Sequence, residues 1–203
     1  MKKILISALL AAPLLASAAG NLVTNGSFEE VKIGRSEGWD IFSNINGWTG
    51  ASKGIEVRKN AVGDALDGTN FVELDTTGNS SMFQVLATTA GQSYTLNFSY
   101  ANRIKVDAAS NGLDWSLDGS TWNSLTTSAR NNTNLHDWQS FSTSFVATGA
   151  TKLSFRASGV SDQLGSSLDN ISVTSAVPEP QTYALLLAGL VAVGLMARRR
   201  QQN

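Results

Sequence analysis

Glu73 and Asp75 stand two residues apart in Phe71-Val72-Glu73-Leu74-Asp75. If this stretch is a strand, both carboxylates share a face with Phe71, and Val72 and Leu74 take the opposite face. Paired carboxylates are what glycoside hydrolysis requires, at about 5 Å or about 6.5–9.5 Å depending on mechanism, and neighbours i and i+2 can come that close. Acids on the outward face of a strand are equally ordinary, so no catalytic residue is assigned. His136 is the only histidine. A Ser-His-Asp triad needs a separate carboxylate to orient the ring, and the adjacent Asp137 points elsewhere on an extended chain. His136 is therefore expected to be a loop residue. The absence of cysteine together with a single histidine excludes a thiol nucleophile and a zinc centre. Five tryptophans offer sugar-stacking surfaces or core. Trp115 is in phase with Leu113 and Leu117 and reads as core. Trp39 and Trp48, in the Gly-rich segment 34–54, and Trp122, beyond the Asp118-Gly119 turn, are the candidate ligand platforms.

The elements that must position these residues read as strands. Tyr94, Leu96, Phe98 and Tyr100 alternate with Thr95, Asn97 and Ser99, placing four large side chains on one face. The alternation recurs in Phe141, Thr143 and Phe145, in Leu153, Phe155 and Ala157, and in Ile171 and Val173. Leu113 to Leu125 reads as a hairpin turning at Asp118-Gly119. Gly, Asn, Ser and Thr separate the strands, and no stretch between them holds a 3.6-residue apolar period. Strands with one polar face must bury the other against a second sheet, which predicts an all-β sandwich.

Both ends of the chain differ from this body. Lys2-Lys3, an apolar run from Ile4 to Leu15 and Ala16-Ser17-Ala18 have the order of a secretory signal peptide, with cleavage expected after Ala18, or after Ala19. At the other end, Val177-Pro178-Glu179-Pro180 leads into an apolar run from Tyr183 to Ala197 and then Arg198-Arg199-Arg200. A helix of that run spans about 22 Å, short of the roughly 30 Å hydrocarbon core, so it can lodge in a membrane only weakly. The arginines favour the cytoplasmic side and place the body of the protein across the membrane from them. The expected organisation is a signal peptide at 1–18, one domain at 19–176 and a sorting tail at 177–203.

The whole chain carries a formal charge of −1, but five of its fifteen basic residues (Lys2, Lys3, Arg198, Arg199, Arg200) and one of its sixteen acids (Glu179) lie in the ends. The domain keeps ten basic residues against fifteen acidic, a net −5. Without a Lys/Arg run it is a poor partner for nucleic acid or anionic lipid.

The order Pro-Glu-Pro, short apolar helix and arginine cluster resembles the PEP-CTERM sorting signal of Gram-negative bacteria. That resemblance implies export through the Sec translocon and a transient inner-membrane anchor. Cleavage near Pro178-Glu179-Pro180 by an exosortase would follow, and then a place at the cell surface or in the extracellular matrix. Within the domain, Asn25-Gly26-Ser27-Phe28-Glu29, Gly47-Trp48 and Phe71 to Asp75 are followed by Met82-Phe83-Gln84-Val85. Ala90 to Phe98, Trp138 and Leu168-Asp169-Asn170-Ile171 then come in order. This series resembles the galactose-binding-like jelly rolls of the plant cell-wall and bacterial family of unknown function, and is similar to some carbohydrate-binding modules. It implies a jelly roll of eight or nine strands with Trp138 in its core. It also implies that Glu29, on the first strand, and Asp169, entering the last, meet at a structural calcium ion, with Glu30 turned to the opposite face. Glu29 as a solvated strand end and Asp169 as a local turn former are the alternatives.

The function expected is that of an exported, non-enzymatic protein of the exopolysaccharide matrix or biofilm, with carbohydrate as a ligand. A secreted polysaccharide hydrolase using Glu73 and Asp75 is the alternative.

Overall fold

The computed structural model describes residues 20–125, 130–176 and 180–200. The signal peptide, with Ala18, and the processing residues Pro178 and Glu179 lie outside the described residues. Two units are separate: Gly20–Ala176, and the helix α1 (Pro180–Arg200).

The first unit contains two antiparallel six-stranded sheets. In the first sheet the order is β1 (Trp39–Phe42), β4 (Ile55–Lys59), β5 (Asn70–Glu73), β12 (Ser167–Ser175), β7 (Ser93–Ala101) and β10 (Gln139–Val146). In the second it is β2 (Asn44–Ile45), β3 (Trp48–Gly50), β6 (Ser81–Leu86), β11 (Thr151–Ala157), β8 (Leu113–Ser116) and β9 (Asn123–Ser124). Consecutive strands repeatedly fall in different sheets, and the sandwich is a jelly roll. The twelve strands among the described residues exceed the eight or nine expected because β2, β3 and β9, of two or three residues each, are too short to show a period-2 pattern. Elsewhere the alternation is realised as read. Tyr94, Leu96 and Phe98 of β7, Leu153 and Phe155 of β11, and Ile171 and Val173 of β12 all enter one core. Phe98 is its hub, stacked on Phe141 at 4.8 Å and edge-on to Phe155 at 5.0 Å. Trp115 packs half-buried against the core, tilted on Phe141.

Two departures shape the site. Residues 25–30 are turns rather than a first strand, with Asn25 and Phe28 at positive φ. The chain ends still meet, because the Leu22 amide donates to the Val173 carbonyl and the Ile171 amide to the Gly26 carbonyl. On β12, Asp169 opposes Ser99 and Ser172 opposes Asn97, so one extra residue is inserted, at a point where Asn170 adopts φ 51°. This bulge lets Leu168, Ile171 and Val173 all face inward and turns Asp169 to the outer face of the first sheet.

The helix α1 ends in the arginines, and no helix among the described residues is long and apolar enough to cross a membrane. The transmembrane helix expected from the tail is thus not realised as a full span. Its apolar run is shorter than the hydrocarbon core and stops at charge.

Candidate functional site

The alternation of β4 assembles a charged floor on the outer face of the first sheet. Ile55 and Val57 point inward, so Glu56 and Arg58 point outward. Val72 on β5 and Leu74 just beyond it take the core side and leave Phe71 and Glu73 beside Glu56 and Arg58. Glu56 stands directly opposite Glu73, and Arg58 opposite Phe71. Like charges in facing positions repel. Two arginines offset that repulsion. Arg58 places Nη2 2.5 Å from Glu56 Oε1 and Nε 3.2 Å from Glu73 Oε2. Arg103, from the loop after β7, places Nη1 2.8 and 2.7 Å from the two Glu73 oxygens. Glu73 also accepts the Gly165 amide at 3.0 Å and is 1 % exposed. Burial pushes its carboxyl up to about 7 against the pull of Arg58 and Arg103, and burial raises Glu56 in the same way. Asp75 Oδ2 accepts the amides of Asp162, Gln163 and Leu164 and so ties down the loop before β12. The strand ends at Glu73, so Asp75 lies beyond it, and each acid is committed to a structural partner.

Above this floor lies a cavity of about 420 Å³. Trp39 and Ile41 of β1 form one wall, in register with Arg58 and Glu56. Thr76, Thr77, the 162–164 loop, Arg103 and Val62 complete the lining. Trp39 is half-buried, with the Arg35 guanidinium 5.9 Å from its ring. The lining combines an aromatic wall, two guanidiniums that spend only part of their donors on carboxylates, and hydroxyl and carboxylate acceptors. Such a surface can stack on the apolar face of a sugar ring and hydrogen-bond its hydroxyls.

The other expected platforms fall elsewhere. Trp48 is 2 % exposed and packs in the core between Phe28 and Phe155, its indole N–H donating to the Asn25 carbonyl, so it is no ligand platform. The Gly-rich segment 34–54 reads as a loop, but Trp48 begins β3 with its side chain inward. Trp122 is half-exposed on the second sheet, with the Arg156 guanidinium 4.2 Å from its ring. Trp138 is half-buried but packs outside the sandwich core, edge-on to Phe71 and His136 on the outer face of the first sheet.

His136 lies outside the strands, yet it is buried rather than solvated. Its Nδ1 is 2.8 Å from the Asp64 carbonyl, which can only accept, so Nδ1 carries the proton and Nε2 accepts from the Ser167 hydroxyl at 3.0 Å. Burial holds its pKa below the ordinary histidine value. Ser167 is 1 % exposed, and the Asp64 carboxylate stands 4.0 Å from Nδ1, so the group orders a loop and offers no accessible nucleophile.

Glu29 and Asp169 do converge, on a single loop. Glu29 accepts the Thr69 and Asn70 amides and the Thr69 hydroxyl, and Asp169 accepts the Leu66 and Asp67 amides. Glu30 turns away to the Asn46 amide. Asp169 is fully buried without a Lys or Arg partner among the described residues, and burial pushes it up to about 6. Among the described residues no three His, Asp or Glu side chains gather there, so the remaining ligands of a cation would be backbone carbonyls. Two hard carboxylates lacking a basic counter-charge fit calcium in kind.

Arg58 and Glu56 were legible as the outward half of the Ile55-Val57 alternation but carried no motif. Arg103 and Ser167 carried no sequence signal.

Residues 176–200 match the PEP-CTERM protein-sorting motif, so the chain carries a sorting signal of exported proteins. No curated protein matches the chain. Among solved structures, the carbohydrate-binding module TmCBM61, determined with β-1,4-galactotriose, is similar at 20 % identity and TM-score 0.49, over 78 % of this chain and 100 % of that one. A family 16 carbohydrate-binding module is similar at 16 % identity and TM-score 0.47, over 76 % and 99 %. The CBM22-1 xylan-binding domain of Paenibacillus barcinonensis Xyn10C is similar at 14 % identity and TM-score 0.47, over 81 % and 99 %.

Proposed function

We propose that this is an exported, non-enzymatic glycan-binding protein of the bacterial surface or extracellular matrix. Its glycan seat is the cavity beside Trp39. The observation that supports this is the lining itself: an indole wall in register with Arg58, over a floor whose charges are mutually paired. Arg58 and Arg103 are fixed by Glu56 and Glu73 before any ligand arrives, so their remaining donors are preorganised for hydroxyl groups. Glu73 and Asp75 act as scaffold, which speaks against the hydrolase reading. The sorting motif carries the protein to an exosortase, with the helix α1 as a transient inner-membrane anchor and Arg198 to Arg200 on the cytoplasmic side. Association with exopolysaccharide or biofilm follows from that delivery. Glu29 and Asp169 hold a structural calcium that pins the 66–70 loop.

A retention screen of the processed protein against neutral and acidic polysaccharides tests the reading, with Trp39→Ala in parallel. Retention lost in Trp39→Ala supports it. Retention on none of them, or turnover of any of them, sinks it.

A further inference from the structure

Each sheet ends in rows of unpaired backbone groups, and the four edges of this sandwich differ in how far they are blunted. Three are short. β1 has four residues, one of them Asp40, which Arg35 holds at 3.0 Å, and β2 and β9 have two residues each. The fourth is β10, eight residues from Gln139 to Val146 with no charged residue, proline or glycine among them. It pairs with β7 along its whole length in one unbroken register, and none of its residues is buried. The lysines, prolines and bulges that blunt a sheet edge are all missing from it.

The direction of its free groups follows from the ladder. The Ala147 amide donates to the Gln92 carbonyl, so the odd-numbered residues of β10 turn their backbone toward β7 and the even-numbered ones turn it away. The amides and carbonyls of Ser140, Ser142, Ser144 and Val146 therefore form the open edge. Among the described residues, no other backbone group bonds to them. Phe141, Thr143 and Phe145 put their side chains on the core side, half-buried, with Phe141 stacked on Phe98 and Phe145 on Tyr94.

The residues of this edge select its partner. Phe141-Ser142-Thr143-Ser144-Phe145 reads the same in both directions. Laid antiparallel on a second copy about Thr143, it sets Phe141 opposite Phe145, Ser142 opposite Ser144 and Thr143 opposite its own counterpart. Ser142 and Ser144 would then exchange amide–carbonyl bonds, as would Ser140 and Val146. The Phe and Thr pairs fall at the non-hydrogen-bonded positions, where side chains approach most closely and aromatic and Thr–Thr pairs stabilise a sheet. A slip of one residue would set the inward row against the outward one, and a slip of two would lose the Phe–Phe pairs.

We infer that β10 is a docking edge for a second copy of this chain, joining two six-stranded sheets into one of twelve across a two-fold axis at Thr143. The contact is self-complementary and uses the one long edge of each copy among the described residues, so it closes at a dimer and builds no filament. Two domains of net −5 repel one another, and an edge without acids is where they can approach. The cavity lies beside β1 and β4, at the far edge of the same sheet, so the dimer leaves it open and does not depend on the glycan reading.

The test follows the mass of the full-length chain in mild detergent by sedimentation over rising concentration. Ser142→Pro removes an outward amide that β7 does not use, so Tm should hold while dimerisation weakens by about tenfold or more, since about two hydrogen bonds are lost per dimer. Thr143→Cys reads the register, because the chain has no cysteine of its own. The substituted positions would face each other at about 4.5 Å between Cα atoms, within disulfide reach, so mild oxidation should join the copies. Ser140→Cys would set its thiols about 20 Å apart along the ladder, and should not cross-link. A wild-type chain that stays monomeric, or association that survives Ser142→Pro and so belongs to the tail helix, overturns the inference. If Ser142→Pro melts early, the cysteine variants decide: no cross-link in Thr143→Cys, or one formed as readily in Ser140→Cys, overturns it as well.

Discussion

Arg103 holds Glu73 through a single nitrogen, Nη1, placed 2.8 and 2.7 Å from both carboxylate oxygens. Glu73 also meets Arg58 and faces Glu56 across the strand pair, so the two arginines are what permits two acids to stand side by side under the cavity.

Removing one partner should leave a buried charge uncompensated. Arg103→Ala is expected to destabilise the protein by about 3 kcal/mol, a drop of roughly 6–12 °C in Tm. Arg103→Met with Glu73→Gln should recover part of that loss. A double variant no more stable than Arg103→Ala alone would show that the pair is not coupled.

The raised carboxyl of Glu73 makes stability depend on pH with a definite sign. Its folded value of about 7 exceeds the ordinary 4.5, so the folded state binds the proton more tightly. Its contribution is full below about pH 4.5 and is lost as pH rises through 7, by up to about 3 kcal/mol. His136 works the other way, because burial lowers its pKa and its contribution is lost as pH falls below the ordinary histidine range. Denaturant midpoints measured from pH 4 to pH 8 should show a smaller alkaline-side decline in Glu73→Gln, with Asp169 and Glu56 supplying what remains, and a smaller acid-side decline in His136→Gln. Parallel pH profiles for wild type and both variants would contradict the assignment.

Trp39 and Trp48 should separate binding from folding. Trp48→Ala empties a core position and should cost about 3–5 kcal/mol. Trp39→Ala should leave Tm within about 2 °C while abolishing glycan retention, since a partly exposed substitution costs little. The reverse pattern would move the glycan site away from the cavity.

Chelation should loosen the loop that Glu29 and Asp169 hold. At a hundredfold excess over Kd, calcium bound only to the folded state adds about 2.7 kcal/mol, so EDTA should lower Tm by roughly 5–11 °C. Calcium should restore it, and magnesium should not. Identical melting in EDTA and in millimolar calcium, with metal analysis proving the chelated sample empty, would end the calcium proposal.

The tail predicts a processed product. In an exosortase-positive host the surface protein should lack Arg198-Arg199-Arg200, and replacing Pro178-Glu179-Pro180 by alanines should retain the full chain at the inner membrane. An intact arginine end on surface-exposed protein, seen by mass spectrometry, would refute this.

The long strands were readable because Tyr94-Leu96-Phe98 and Leu153-Phe155 bury one face each, and a period of two records that directly. The face shared by Phe71 and Glu73 was readable for the same reason. What the sequence hid was the second layer of burial. Loops cover the outer face of the first sheet, so Glu56, Arg58, Glu73 and Asp169 alternate like solvent-facing residues yet are buried. Glu73 and Asp169 find partners 30 or more residues away, Arg103 and the Leu66 amide, and no local pattern encodes such a pairing. Trp48 reads as a loop residue because it falls in the Gly-rich segment 34–54, and the strand it begins, of three residues, is too short to declare its inward phase.

The bulge in β12 also sets the order in which the chain can finish folding during export. The 66–70 loop is pinned from one side by Glu29 and from the other by Asp169, which lies some hundred residues further on. A polypeptide that leaves the cytoplasm N-terminus first presents Glu29 early and Asp169 last, just ahead of the sorting motif at 176–200. Until β12 is in place, the 66–70 loop lacks its Asp169 anchor. The sorting motif at 176–200 follows β12 directly in the chain, so Asp169 is the last anchor of the loop to be made before that signal.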